Sequence, residues 1–426
     1  MSERLLLKDV VLNGVPCEIL ISGGRITEIG RGIGSASDDV IDCMGMTAMP
    51  AFVNMHTHSG MTLFRGMAGD CPLHEWLDRV WKAEALMGPE IFYWGTKLAC
   101  VEMIKSGTAC FADMYWDIDR TCEAVRESGM RALLTYCFLD GGDMDKAARQ
   151  REECGRMYAL SLEWPDRMKF GVSIHAHYTV CDANMLWAAA FAREHGLLLQ
   201  THLSETVKEN EEHYARYGMS PTLRLEDMGI LGKNLIAAHC LWLDDADVDA
   251  LGRHGVTAVH NINSNLKLSS GYRFRYRELK AAGANLTIGT DGSGSSDSLD
   301  VREALKTAAL VQKAWRGDPS AMPVGELMAM ATVNAGKALG TSAGLIEKGA
   351  PADIMLIDTS SPAFIPCHDI AANLVYSANS SSVDTLICDG RVLMYRRRIE
   401  GEDVLLEKAR TEINRFFTSN RIWTTE

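Results

Sequence analysis

The sequence predicts an α/β protein: a closed (β/α)8 TIM barrel with a small β-sandwich domain built from both chain ends. Three observations carry that reading. Eight short apolar runs alternate with helix-like stretches between residues 47 and 291. A strand-and-turn pattern in the first fifty residues is answered by another between 353 and 394. Histidines and an aspartate fall at the ends of several apolar runs, where a barrel of this kind keeps its chemistry.

The elements follow in order. LLLKDVVL, Asn13-Gly14, CEILIS, Gly23-Gly24 and RITEIG read as strands joined by tight hairpin turns. Strand candidates for the barrel are 47–56, 108–115, 131–138, 169–176, 197–203, 235–240, 256–261 and 285–291. Helix-like stretches at 90–107, 119–129, 183–196, 244–255 and 276–283 lie between them, several ending in Gly, a common helix stop. Strands alternating with helices imply a parallel sheet with crossover helices. DIMLID (353–358) and VDTLICDGRVLM (383–394) are strand-like again, with Asp389-Gly390 as a turn. Neither terminal piece can bury a good core alone. The expected organisation is therefore 1–50 with 350–400 as one β domain, 51–349 as the barrel and 401–426 as a C-terminal helical extension.

Composition excludes several function classes. Of 426 residues, 47% are hydrophobic and 23% charged, which fits a globular protein and neither a disordered nor a collagen-like chain. No apolar run approaches the ~18–20 residues of a membrane span. The opening MSERLLLKDVVLNG lacks the apolar core of a signal peptide, so a cytoplasmic protein with no membrane partner is expected. A net charge of −13 opposes binding to nucleic acid. The one dense basic run, Arg396-Arg397-Arg398, reads as a solvated strand end. Twelve cysteines show no CxxC spacing and sit mostly in apolar surroundings, the pattern of reduced, buried thiols.

Side chains at i and i+2 of a strand share a face, so His56 and His58 can both enter the barrel mouth. His202, His239 and Asp291 close the fifth, sixth and eighth strand candidates. Any one of them alone reads as an ordinary polar strand end. Four imidazoles and a carboxylate converging in one barrel read as a metal site, suited to Zn²⁺ with Fe²⁺ possible. Such an ion lowers the pKa of a coordinated water from 15.7 toward ~7. Glu205 opens an acidic helix, where it could serve as a cap. Three residues past His202 and beside a metal, it is the better candidate for general acid/base work.

These residues are similar to the signature of the amidohydrolase superfamily from about residue 45 to 360. MHTHSGMTLFRGMAGDCPLHEWL (55–77), THLSETVKENEEHYARYG (201–218), AAHCLWL (237–243), VHNINSNLKLSSG (259–271) and IGTDGSGSSDSLD (288–300) resemble the 5-methylthioadenosine/S-adenosylhomocysteine deaminases. The subgroup motifs are shared with other cyclic-amidine deaminases and triazine hydrolases. The resemblance implies one divalent ion held by His56, His58, His202 and Asp291. It implies that His239 orients the attacking water, that Glu205 carries a proton to the ring nitrogen and that Asp291 accepts one from the water. It also implies substrate contacts by Glu84 (ribose hydroxyls), His175 (purine edge) and Ser295 (near the base), and a homo-oligomer. The fourth strand ends SIHAHY, with no lysine to bridge two metals.

Some positions depart from the family pattern. Lys82 stands where a proline usually follows the tryptophan, His177 replaces a proline, and 271–279 is unusually aromatic and basic. Tyr136 stands where some relatives place an arginine for the amino-acid carboxylate, with Arg149, Arg273 and Arg275 as candidate substitutes. Trp81 and Trp116 are candidate cavity walls.

The sequence is thus read as a metal-dependent aminohydrolase of adenosine-type nucleosides: 5′-methylthioadenosine, S-adenosylhomocysteine, 5′-deoxyadenosine or adenosine. Two alternatives stand beside it. One is a deaminase or chlorohydrolase of another heterocycle (guanine, a pterin, an s-triazine). The other is a non-catalytic ligand-binding relative.

Overall fold

A computed structural model describes residues 4–35, 39–67, 69–71 and 73–422, apart from the side chain of residue 74. The outermost residues of the two expected terminal pieces, 1–3 and 423–426, lie outside the described residues. Strands β1 (Arg4–Leu12), β2 (Val15–Ser22), β3 (Arg25–Gly30), β4 (Asp39–Asp42) and β5 (Met46–Pro50) come from the N-terminal end. Eight parallel strands follow: β6 (Phe52–Thr57), β7 (Thr108–Tyr115), β8 (Arg131–Phe138), β9 (Met168–Ile174), β10 (Leu199–Leu203), β11 (Leu235–His239), β12 (Thr257–His260) and β13 (Asn285–Ile288). β14 (Ile354–Asp358), β15 (Val383–Cys388) and β16 (Arg391–Met394) return to the first sheet.

The parallel strands pair in chain order from β6 to β13, forming a nearly closed barrel. The N–H groups of Thr290 and Asp291, just beyond β13, donate to the His56 carbonyl on β6 and draw the two ends together. Every residue of β7, β10, β11 and β12 is buried, as expected of a parallel sheet covered by helices.

The terminal strands make one mixed sheet ordered β16-β15-β14-β5-β1-β2-β3, with β4 paired to β1. It encloses a single core in which Leu7, Ile19, Ile41, Ile354, Leu356 and Ile387 meet. Asn13-Gly14 and Asp389-Gly390 all take positive φ (51°, 78°, 50° and 73°), the conformation a two-residue hairpin needs at both centres.

The continuous strand expected over 47–56 is divided. β5 pairs with β14 in the terminal sheet, and β6 starts the barrel. Pro50 lacks the N–H that would carry the ladder onward, so the chain changes partner there. The basic run also differs from expectation. Arg397 turns inward, and its guanidinium donates to the carbonyls of Ser380 (2.9 Å) and Val383 (3.0 Å). At the base of β8, Arg131 binds Asp353 (3.0 and 3.2 Å) and Asp389 (3.1 Å), joining barrel to β sheet. The helix Glu402–Asn420 packs Phe416 and Phe417 against Phe64 and Trp76, beside the barrel mouth. Eight cysteines are buried thiols, Cys100, Cys110 and Cys137 among them. No helix among the described residues is long and apolar enough to cross a membrane.

Candidate active site

The strand-end residues meet. Ligand atoms of His56, His202, His239 and Asp291 all lie within 4.8 Å of one another. His58 joins them, its Nε2 standing 3.2 Å from both His202 Nε2 and Asp291 Oδ1. His56 Nε2 is 3.1 Å from His202 Nε2 and 3.5 Å from Asp291 Oδ1. Four imidazoles and one carboxylate therefore converge, and the hydrogen bonds on their outer atoms decide which of them present lone pairs to a metal.

The outer nitrogens sort these histidines. His58 Nδ1–H donates to the Met114 carbonyl and His202 Nδ1–H to the His175 carbonyl, both at 2.7 Å. His56 Nδ1–H faces Gln200 Oε1 at 3.3 Å. With the proton on Nδ1, each Nε2 presents a lone pair inward. Lone pairs converging at 3.1–3.2 Å are stable only around a cation or a proton. Donors about 2.1 Å from a tetrahedral zinc stand roughly 3.4 Å apart, so the cluster fits such an ion. His239 differs. In the assigned amide orientation, Asn265 Nδ2–H donates to its Nδ1 (2.8 Å), which leaves the imidazole proton on Nε2.

Local structure fixes these positions. Asp291 and His239 take positive φ (62° and 76°), strained conformations held by the surrounding loops. Ser264 and Ser295 hydroxyls donate to Asp291 Oδ2 (2.6 and 2.8 Å), leaving Oδ1 for the cluster. Buried Asp113 accepts from Thr57 Oγ1 (2.8 Å), Ser59 N (2.6 Å) and Ser59 Oγ (2.8 Å), pinning the loop that carries His58.

Glu205 lies beside the cluster, 9% exposed, with Oε2 3.7 Å from His239 Nε2 and Oε1 accepting from Ser270 Oγ at 3.2 Å. It is not the helix cap. Thr206 caps the helix Val207–Tyr217, and Glu209 completes the capping box. Burial, reinforced by the charges of Asp291 and Glu209, pushes the Glu205 carboxyl up to about 8, so it carries a proton at neutral pH.

The cavity extends from the cluster past Trp81, Trp116, Tyr178, Leu73 and Leu268 to Glu84. Glu84, 4% exposed, accepts a short hydrogen bond from the Tyr115 hydroxyl. Burial raises its carboxyl to about 7. His175 lines the same cavity, and its Nδ1 contacts Thr179 Oγ1 at 2.9 Å. Burial holds His175 down at about 3, so it is neutral and can exchange hydrogen bonds with an uncharged ring edge.

Three expected groups sit elsewhere. Ser295 stands behind Asp291 and is not among the cavity-lining residues, because its hydroxyl is committed to that carboxylate and to the Gly292 carbonyl. Tyr136 packs against Phe138 in the barrel's hydrophobic core. Arg275 is tied to Asp245 at 2.5 Å, while Arg149 and Arg273 are exposed, and none of the three lines the cavity. The supports Asp113, Gln200, Ser264 and Asn265 were not singled out from sequence. Their signal was weak: isolated polar residues within apolar strands, or the polar run NINSN after β12.

Residues 47–393 match the model of the Amidohydrolase family. This chain belongs to that family. It is 42% identical over 419 residues to a 5′-deoxyadenosine deaminase of Methanoregula boonei, covering 96% of this chain and 94% of that one. A 5-methylthioadenosine/S-adenosylhomocysteine deaminase of Thermococcus onnurineus is 42% identical over 391 residues, covering 91% and 92%. Among solved structures, an adenosine deaminase from Xanthomonas campestris with bound zinc superposes with a TM-score of 0.90 at 30% identity, covering 97% and 98%. The barrel, the mixed sheet and the His/His/His/Asp cluster are thus those of an amidohydrolase metal site.

Proposed function

We propose that the protein is a zinc-dependent aminohydrolase that replaces the 6-amino group of adenosine-type nucleosides with oxygen, releasing ammonia. 5′-Deoxyadenosine, 5′-methylthioadenosine, S-adenosylhomocysteine and adenosine are the candidate substrates. The observation that carries the reading is the placement of Glu205, a buried carboxyl held by Ser270 with Oε2 3.7 Å from His239 Nε2, directly beside the metal-type cluster. The names of the relatives and the zinc in the 30%-identical structure support substrate class and metal.

His56, His58, His202 and Asp291 would hold the ion, which supplies a nucleophile from water at neutral pH when bound. Glu205 then delivers its proton to the ring nitrogen beside the reacting carbon, so negative charge does not build on the ring. His239 Nε2–H donates toward the incoming oxygen. Asp291 Oδ1 takes up the proton that water gives up. Asp291 then passes that proton to the exocyclic amine, which leaves as ammonia, while the hydroxyl proton on C6 returns to Glu205 as the carbonyl forms. At the far end Glu84 accepts from the ribose 2′ and 3′ hydroxyls, and one carboxylate can receive both. His175 meets the purine edge. Ser295 serves the reaction by fixing Asp291 Oδ2.

The test is ammonia release from a panel of 5′-substituted adenosines, adenosine, guanine and an s-triazine, before and after chelation. Turnover of the nucleosides that is lost with the chelated metal and restored by zinc is the expected result. Turnover confined to a free base or a triazine overturns the substrate reading. Tight nucleoside binding without turnover in metal-replete protein overturns the enzymatic one.

A further inference from the structure

The turn that carries Glu205 is organised by a carboxylate the mechanism does not use. Glu209 is 8% exposed. It receives three consecutive backbone N–H groups: Ser204 N on Oε1 (3.0 Å), and Glu205 N (2.7 Å) and Thr206 N (3.4 Å) on Oε2. A helix-capping glutamate needs only the last of these. The other two fix the residues just before the helix, where Ser204 holds a left-handed φ of 50°. From the opposite side, the Ser204 carbonyl accepts from Leu241 N (3.1 Å) and Trp242 N (3.0 Å), just beyond β11.

His177 completes the arrangement. It lies on the loop after β9, two residues past His175, and its Nε2 stands 3.2 Å from Glu209 Oε1, close in distance though off-line for a good hydrogen bond. Burial alone would raise the Glu209 carboxyl. The His177 imidazole and the backbone N–H groups outweigh it and hold the group below the usual carboxylate range. A charged, fully engaged carboxylate thus ties the loops after β9 and β10 together, with Glu205 between its anchors.

We propose that Glu209, paired with His177, is a positioning residue that sets the Ser204–Thr206 turn so that the Glu205 carboxyl meets the substrate ring. This rests on the reading above, in which Glu205 moves the proton. Glu209 does not touch the cavity cluster and acts through the backbone. A displaced proton donor costs rate more than affinity, because ground-state contacts at Glu84 and His175 are untouched.

Glu209→Gln keeps the length of the side chain and replaces one acceptor oxygen by an amide that cannot receive an N–H. Its kcat should fall on the order of 10–100-fold, with KM and bound metal within about twofold of the parent. In the metal-free protein, amide hydrogen exchange at Ser204 and Glu205 should quicken while the barrel strands keep their protection. Thr206→Ala is the control for simple helix capping, since it removes the cap hydroxyl and keeps the backbone N–H. It should lower the urea midpoint and leave kcat unchanged. His177→Gln should reproduce the Glu209→Gln loss more weakly.

Glu209→Gln with parental kcat, or with a loss no larger than that of Thr206→Ala, overturns the inference. Loss of turnover in Glu205→Gln combined with parental turnover in Glu209→Gln overturns it while leaving the proposed reaction standing. Full turnover in Glu205→Gln overturns the role of Glu205 and the inference with it.

Discussion

Glu205 and Glu84 are both buried carboxyls pushed upward by desolvation, and they are assigned opposite tasks by what faces them. Glu205 faces His239, and Glu84 faces a phenol. Glu205→Gln keeps shape and loses the transferable proton. Turnover should fall by a factor on the order of 10²–10⁴ with metal content unchanged, measured by ammonia release and metal analysis. His58→Ala should instead lower metal affinity, since a lone pair leaves the cluster. Glu84 also makes a pH prediction. Its folded value of about 7 exceeds the ordinary 4.5, so the folded chain binds this proton more tightly than the unfolded chain. The resulting stabilisation is fully present below pH 4.5 and is lost as pH rises through 7. Glu84→Gln should remove a fall in stability on the order of 3 kcal/mol between pH 4.5 and 7, read from urea midpoints without substrate.

Elements matter here chiefly through their ends. β6, β10, β11 and β13 each bring a site residue to the same rim, and the loops beyond them are sewn to one another by backbone bonds such as Cys240 N to the Leu203 carbonyl (2.9 Å). The helix Leu73–Glu84 supplies Leu73, Trp76, Leu77, Trp81 and Glu84 to the cavity wall. The C-terminal helix joins the same apolar cluster as this wall, its Phe417 ring 6.5 Å from that of Phe64 in the segment after β6. Phe417→Ala removes a side chain that is 5% exposed and should cost about 3 kcal/mol. A higher KM with a smaller change in kcat is expected, because the affected wall binds the substrate and does not react with it.

At the scale of the whole molecule, barrel and terminal sheet are locked by a buried charge group. Arg131→Met leaves Asp353, 4% exposed, facing no guanidinium. Removing one partner of a buried ion pair costs about 3–5 kcal/mol. The thermal midpoint should drop while metal content and kcat stay near parental values at 25 °C. An unchanged midpoint would show that water replaces the guanidinium freely.

Much of this was legible in the sequence. Alternating strand and helix patterns gave eight parallel strands because hydrophobic periodicity is local, and a barrel rim collects strand ends whatever the loops do. The residues His56, His58, His202, His239, Glu205 and Asp291 could be picked out as chemistry-bearing types in apolar surroundings. The break at Pro50 was written in the residue itself but read through. What the chain order could not show was which partner each polar atom meets. Ser295 turning to Asp291, Asn265 setting the His239 proton, Asp113 pinning the histidine loop and Glu209 gathering three N–H groups join residues 3 to 56 positions apart or depend on side-chain direction. Local pattern therefore determined the fold class and which polar side chains come together at the barrel mouth. Only tertiary packing decided protonation, tautomer and support, because burial and hydrogen-bond direction are properties of the assembled interior and not of any segment.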